Sequence, residues 1–478
     1  MRPLGVGLIY LEELESLFRE SNPALSVLEL EPESFWQKTL PEGPKGRVKF
    51  IPNAGAMARI AALPQHKLVH SVGFPVGGSV TYPDHEWEPL DATIRMLGAS
   101  WVSEHLSFNA IETGNALEQV GFLLPPRQTT AGVNTAVRGI RRVASQLSAP
   151  FAFETGVNYL RPGAEEIPDG EFFASIAEAA DCGILLDLHN LWANERNGRQ
   201  PVTGVIDTLP LDRVWEIHLA GGMTLGEYYL DAHSDTIPQP LLEIASTVIP
   251  RLPNLGAVVF EIMPGYVSHV GLDGVREQIA LLNILWRLRP VQSLQVERQP
   301  VSLARDSSEA SDVVEWERVL GTLAVGHRSD SLSGAADRLA KDGGVAIWRT
   351  LIDEGRDGRI ARAMRFTMTL LLRHLGSASV QQLLRDYHAS TFPDLFTSVE
   401  GDRFADYLRG RLTTLPSVPF LPEVLQFEHA LIRAALYGAR SQIEWDVDPT
   451  DLLSAIEEGG AVSPTRIPPF RMEVVPEG

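Results

Sequence analysis

One cysteine in 478 residues excludes an intrachain disulfide and any cage of thiolate ligands, so a metal bound here must be held by oxygen and nitrogen. Basic residues are also short. Against 61 Asp and Glu stand 41 Lys and Arg, and the formal net charge of -20 argues against a large duplex-DNA or anionic-membrane surface, though not against a small basic groove. No apolar run approaches the roughly 20 residues needed to cross a bilayer. Acidic residues interrupt the N-terminal "MRPLGVGLIYLEELESLF" too early for a secretory signal, and a cytoplasmic location is expected. The lone Cys182 precedes an apolar run and is expected to be a buried, inert thiol.

What the chain does have is an ordinary hydrophobic fraction of 44% and enough length for more than one domain. Over residues 1–290 it repeats a unit of short apolar strand, polar ending, and helical or loop segment. The expected strands are Gly5–Tyr10, Ser26–Glu31, Lys67–Val72, Ser100–His105, Phe151–Thr155, Gly183–Leu188, Val214–Leu219 and Ala257–Ile262. Between them lie segments of helical spacing such as "TAVRGIRRVASQL" and "EFFASIAEAAD". Strands alternating with helices in this number predict a (β/α)8 TIM barrel, whose active site lies at the C-terminal ends of the strands.

Those ends are where the titratable residues fall. "GILLDLHNLWANE" shows the pattern: a strand buried on both faces runs straight into Asp187, His189 and Asn190. The other ends carry His70, Glu104 with His105, Glu154, His218 and Glu261, while Asp231 and His233 in "LDAHSD" are expected in a loop folding over the same mouth. So many carboxylates and imidazoles around one cavity cannot all be charged without compensation. Cations resolve the conflict, and the number of ligands implies two or three metals, with Glu154 as a bridge. Imidazole and carboxylate without sulfur suit iron, manganese or zinc, and repeated 2-His-1-carboxylate sets suit oxygen-activating iron. Glu104 is expected either to take part in catalysis or to orient His105; His189 is either a ligand or a substrate contact. His66, His85 and His269 lack a matching partner and are expected at the surface or in loops.

In "GVGLIY", "LELEPESFW", "HSVGFPVGGS", "WVSEHLSF", "FLLPPRQT", "LLDLHN", "IHLAGG" and "DAHSD", the chain resembles the multinuclear non-heme iron-dependent oxidative enzymes, a family that includes the iron enzyme of methanobactin biosynthesis. The resemblance implies a TIM barrel holding two or three irons, in mixed Fe(II)/Fe(III) states, that uses O2 to oxidise a residue of a ribosomally made precursor peptide. That residue is most often Cys, with Asp or Asn as alternatives. It also implies metal ligands at His70, His105, Glu154, Asp187, Asn190, His218, Asp231, His233 and Glu261, and catalytic roles for Asp187, His189 and Glu104. The chain departs from the family pattern with Glu104 in place of Asp, Ser34 after Glu33, His189 in place of Asn, and Ile262–Met263 after Glu261.

Residues 291–312 are polar, lack a period and read as a linker; residues 313–478 read as a mainly helical domain. In "LPEVLQFEHALIRAALYG", Leu421, Val424, Leu425, Leu431, Ala434 and Ala435 mark an apolar helix face. The tail is expected to form a strand around Ile443–Val447 and then a helix. "LLRDYHASTFPDLF", "GDRFADYLRG" and "PFLPEVLQFEHALIRAAL" resemble the partner proteins encoded beside these iron enzymes, some of which carry a DNA-binding designation. This implies an oxidase fused to its substrate-recognition subunit, with the peptide bound as an added strand or in a helical groove. Tyr387, Phe392, Phe396, Phe404 and Tyr407 are expected in the core, and His388 and His429 on helices without a ligand role. The competing readings are a multinuclear zinc hydrolase of the phosphodiesterase or endonuclease type, and a DNA-binding or assembly protein with a degenerate barrel.

Overall fold

The computed structural model describes residues 1–20, 22–39, 49–114, 116–291, 310–327, 334–459 and 464–476. Eight parallel strands form a closed barrel: β1 (Gly5–Ile9), β2 (Val27–Leu30), β3 (His66–Ser71), β4 (Val102–His105), β5 (Phe151–Glu154), β6 (Gly183–Asp187), β7 (Val214–Leu219) and β8 (Ala257–Phe260). Each strand pairs with its neighbour in sequence, and the ring closes where Gly5 of β1 lies opposite Ala257 of β8. This is the expected TIM barrel, followed by a helical C-terminal region. At Gly7 a Cβ would lie 2.9 Å from Val27 Cβ and 3.0 Å from Val259 Cγ2, so the crowded seam between β1 and its neighbours requires glycine there.

The barrel interior divides along its axis. Val27, Leu68, Trp101, Ala257 and Val259 plug one end and are fully buried. The opposite end carries the carboxylates and imidazoles. Outside, a continuous apolar layer joins the strands to the surrounding helices. Capping fixes where those helices start: Asn53 accepts from Ala56 N, Thr129 from Gly132 N, and Asp187 from Asn190 N. Asp187 is therefore both the last residue of β6 and the cap of the Leu188–Arg196 helix. Cys182 is buried, and desolvation pushes its thiol up to about 12.

A second layer stands over the barrel mouth. A long hairpin, Phe108–Thr113 with Ala116–Leu124, rises after β4 and packs Phe108, Ile111 and Val120 against Trp316, Val319 and Leu320 of the Ala310–Ala324 helix. That helix begins inside the segment expected to be a linker; residues 292–309 of the linker lie outside the described residues. Glu317 ties the layer down, accepting from Ser79 N at 3.0 Å. The Gly343–Ala363 helix then places Trp348 and Ile352 in this cluster and Ile360 in a separate C-terminal core. Trp348 is fully buried, with its ring 4.6 Å from that of Tyr159.

The C-terminal core contains Tyr387, Phe404, Val424 and Trp445. Two of the expected core aromatics lie elsewhere: Phe392 packs against the cap cluster, and Phe396 is exposed and stacks on Phe50 of the Lys49–Pro52 strand, in a hairpin that follows β2. On the Leu421–Tyr437 helix, Leu421, Val424, Leu425 and Ala434 are buried as expected, but the buried face differs at two positions. Leu431 and Ala435 point to solvent, while Glu428, His429 and Ile432 are buried. The burial is polar because Glu428 accepts from Phe366 N and Thr367 N, while His429 Nε2 lies 2.8 Å from Asp402 Oδ1. His388, on the Ser377–His388 helix, sits between Asp353 and Asp357. The expected tail strand and helix form at Ser441–Val447 and Pro449–Glu457. Among the described residues, no helix is long and apolar enough to cross a membrane.

Two outcomes test this architecture. Trp348→Ala removes a fully buried indole and is expected to cost about 3–5 kcal/mol in urea unfolding. Burial raises the Glu317 carboxyl to about 7 in the fold, above its unfolded value, so the native state retains this proton longer. Stability from this group is full below the unfolded value and falls as pH rises to about 7, by linkage to at most one proton. Glu317→Gln is expected to remove that slope from the pH dependence of the unfolding midpoint.

Candidate metal centre

The rim of the barrel gathers all nine expected ligand residues. His70, next to last in β3, has Nδ1 2.9 Å from Ser103 Oγ, which fixes the ring so that Nε2 lies 3.2 Å from His105 Nε2 and 3.2 Å from Glu154 Oε2. His105 Nδ1 is 2.8 Å from the same Glu154 oxygen. Asn190 Nδ2 donates to Glu154 Oε1 at 3.2 Å. Asp187 spends Oδ1 on the helix cap and leaves Oδ2 without a hydrogen bond. His218 Nδ1 stands 3.0 Å from Glu261 Oε2.

Asp231 and His233 are not in a loop. They belong to Tyr228–Asp235, one strand of a hairpin with Gly221–Leu225, and the pairing of the two strands aims them down at the mouth. Asp231 Oδ1 lies 2.8 Å from both His189 Nδ1 and His233 Nε2. The backbone of His233 is left-handed, with φ of 43°. A strained non-glycine conformation of this kind costs on the order of 1–3 kcal/mol and persists only where surrounding contacts hold it. Here His233 O accepts from Met263 N, and Asp231 N donates to Tyr159 Oη.

The side chains form overlapping sets, each with ligand atoms within 4.8 Å of one another: His70, His105 and Glu154; Glu154, Asp187 and His218; Asp187, His233 and Glu261; and His189, Asp231 and His233. Glu154, Asp187 and His233 are each shared between two of these sets, and His218 joins a further one with Glu29 and Glu216. The buried atoms Glu154 Oε2, Asp187 Oδ2, Asn190 Oδ1, His218 Nδ1, His233 Nε2 and Glu261 Oε2 make no aligned hydrogen bond, although Glu154, His218, His233 and Glu261 have an oppositely charged group at ion-pair distance. Buried polar atoms are rarely left this way. Six at one rim, on imidazole, carboxylate and amide groups, are a donor set that fits cations.

Charge within the rim is correspondingly distorted. Burial opposes ionisation of His105, but the Glu154 carboxylate beside it outweighs burial and raises the imidazole to about 9. Burial likewise opposes ionisation of His233, but the Asp231 and Glu261 carboxylates raise its imidazole well above the ordinary range. Glu154 is held well below the usual carboxylate range by His105 and His70 despite its desolvation. Asp187 goes the other way, pushed far up by burial and by the charges of Asp231 and Glu154. Carboxyl groups driven in opposite directions beside raised imidazoles are what this rim settles for when protons are its only cations.

Glu104 is brought to the rim but turned into the backbone. Its oxygens accept from His105 N at 2.8 Å and Phe74 N at 3.0 Å, and burial raises its carboxyl to about 8. His189 Nε2 lies 3.3 Å from Tyr229 Oη. Above the rim is a cavity of about 300 Å³, lined on one side by His70, His105, Glu154, Asn190, Asp231, His233 and Glu261 and on the other by Phe122, Leu123, Phe172, Phe173 and Met263. Sequence reasoning missed Glu31, which also lines the cavity and is raised to about 7 by burial and the Glu261 charge. It also missed Glu29 and Glu216, both fully buried beneath His218. The signal for them was a carboxylate inside the apolar strands "VLEL" and "VWEIHL".

Residues 5–262, more than half of the chain, match a family described as the RiPP precursor modification enzyme MbnB/TglH/ChrH, where RiPP denotes a ribosomally synthesised, post-translationally modified peptide. Among similar proteins, a UPF0276 protein of Anaeromyxobacter sp. (strain Fw109-5) is 28% identical over 40% of this chain and 66% of its own length. A UPF0276 protein of Streptomyces avermitilis is 24% identical over 54% of this chain and 50% of its own length. That of Chromobacterium violaceum is 27% identical over 52% of this chain and 83% of its own. The chain thus spans between half and two thirds of the length of the first two relatives. A sugar phosphate isomerase/epimerase from Parabacteroides distasonis aligns with a TM-score of 0.38 at 15% identity, over 59% of this chain and 97% of that one. By the extent of the family match, this chain belongs to the MbnB/TglH/ChrH family of RiPP precursor modification enzymes.

Proposed function

We propose that the chain is an O2-dependent multinuclear non-heme iron enzyme that oxidatively modifies one residue of a ribosomally made precursor peptide. Cysteine is the favoured residue, with Asp or Asn as alternatives. The observation that carries the reading is the run of ligand sets that share Glu154, Asp187 and His233, with buried oxygen and nitrogen atoms left unmatched among them. Shared ligands suit two or three adjacent ions, and a sulfur-free set of imidazoles and carboxylates suits iron.

Under this reading His70, His105 and Glu154 hold one ion, Glu154, Asp187, His218 and Glu261 a second, and His189, Asp231 and His233 a third. Bound iron supplies electrons to dioxygen and Lewis acidity toward a substrate thiolate or carboxylate. The chain does the rest. Ser103 fixes the His70 ring, Asn190 orients Glu154 through its amide, and the cap bond to Asn190 N sets Asp187 with one oxygen free. The apolar wall from Phe122 to Met263 keeps water from the reacting side chain. His105, His218 and His233 must give up protons to bind a metal, so loading falls with decreasing pH. Buried Cys182 is kept from the oxidising site. The C-terminal helical region, which resembles a recognition subunit, binds the rest of the peptide.

Co-expression with short peptides encoded nearby, followed by mass spectrometry, tests the reading. The expected result is a mass change on one peptide that depends on oxygen, with iron in the anaerobically reconstituted protein. His105→Ala and Glu154→Gln are expected to lose bound ions and to abolish the mass change while the protein remains folded. A chain that carries only zinc and hydrolyses a phosphodiester without oxygen would overturn it.

A further inference from the structure

Beneath the rim, three groups share one fully buried spot: Glu29 on β2, and Glu216 and His218 on β7. Glu216 and His218 are two residues apart on one strand, so both project from the same face, Glu216 one layer deeper. Its Oε2 accepts from Trp101 Nε1 at 2.8 Å, which anchors it to the apolar plug. His218 reaches in both directions. Nδ1 faces Glu261 at 3.0 Å, on the rim, and Nε2 faces Glu29 Oε2 at 2.8 Å, with Glu216 Oε1 at 3.8 Å. Neither oxygen of Glu29 has an aligned hydrogen-bond donor, and both are buried.

A carboxylate is costly to bury with nothing to do, and a strand of valine and leucine has no structural need for one here. Its position suits one task. An imidazole offers a metal one nitrogen only when the hydrogen sits on the other, and a carboxylate against that second nitrogen fixes both the tautomer and the angle of the ring. We infer that Glu29 is a positioning residue: it holds the Nε2–H edge of His218 so that the Nδ1 lone pair faces the rim beside Glu261. Glu216, pinned by Trp101, walls the spot and keeps Glu29 turned toward the ring. Glu29 acts through His218 and touches neither peptide nor ion. This rests on the metal-centre reading above.

The test is zinc binding by the full-length chain, measured by competition with a chromophoric chelator, for wild type, Glu29→Met, His218→Ala and the double variant. Zinc alone is the probe, so neither iron chemistry nor peptide turnover enters the readout. Glu29→Met is expected to weaken the His218-dependent ion by about 10–100-fold and to cost nothing further once His218 is Ala. The same substitution removes a buried carboxyl without an aligned partner, so thermal unfolding of the metal-free variant is expected no lower than that of wild type. Should Glu29→Met fail to fold, Glu29→Gln carries the same cycle with a smaller loss, because its amide oxygen still accepts. Unchanged affinity, an equal loss with and without His218, or one ion fewer at saturation (which would make Glu29 a ligand) overturns the assignment. Absence of zinc uptake by the wild-type chain overturns the metal centre itself, and this inference with it.

Discussion

Desolvation is the constraint on which this molecule turns. A carboxylate removed from water must find a counter-charge or take up a proton, and an imidazole must find an acceptor or lose one. The barrel mouth sets Glu154, Asp187, Asp231 and Glu261 among His70, His105, His189, His218 and His233, with His105, Asp231 and His233 half-buried and the rest buried. Protons alone satisfy this arrangement only by driving neighbouring groups in opposite directions, with Glu154 pulled down and Asp187 pushed up. A shared set of cations would relieve both distortions at once.

The fold delivers this conflict deliberately. Parallel strands end on one face, so the strands after β1 add their polar ends to the same ring. The apolar plug around Trp101 closes the other end and prevents water from softening the electrostatics from below. Above, hairpins make a second tier. One of them lowers Asp231 and His233 onto the rim, and its hold on the cap runs through Tyr159, which receives the Asp231 amide and packs on Trp348. The geometry of the rim carboxylate Asp231 is thus connected to the packing of a helix far along the chain.

The barrel was legible because a strand buried on both faces reads as an unbroken apolar run, and because its polar ending breaks that run abruptly, as at Leu186–Asp187. Asp231 and His233 were found as residues but placed in a loop. Their hairpin alternates weakly and its partner strand begins with two glycines, so no period announces it. On the Leu421–Tyr437 helix, apolar spacing chose Leu431 over Glu428, since side-chain counting cannot foresee that a buried carboxylate will cap the start of another helix at Phe366 and Thr367. Glu29 lies within the expected strand Ser26–Glu31 and is silent for the same reason: a charge between two leucines has meaning only when the ring opposite it is known.

The Gly343–Ala363 helix belongs to two hydrophobic cores, giving Trp348 and Ile352 to one and Ile360 to the other. A helix shared in this way joins the two by direct packing: its Trp348 lies against Tyr159, and Tyr159 Oη accepts from the backbone N of Asp231. The mouth of the barrel is thereby linked to a bundle from which, among the described residues, no side chain lines the mouth cavity.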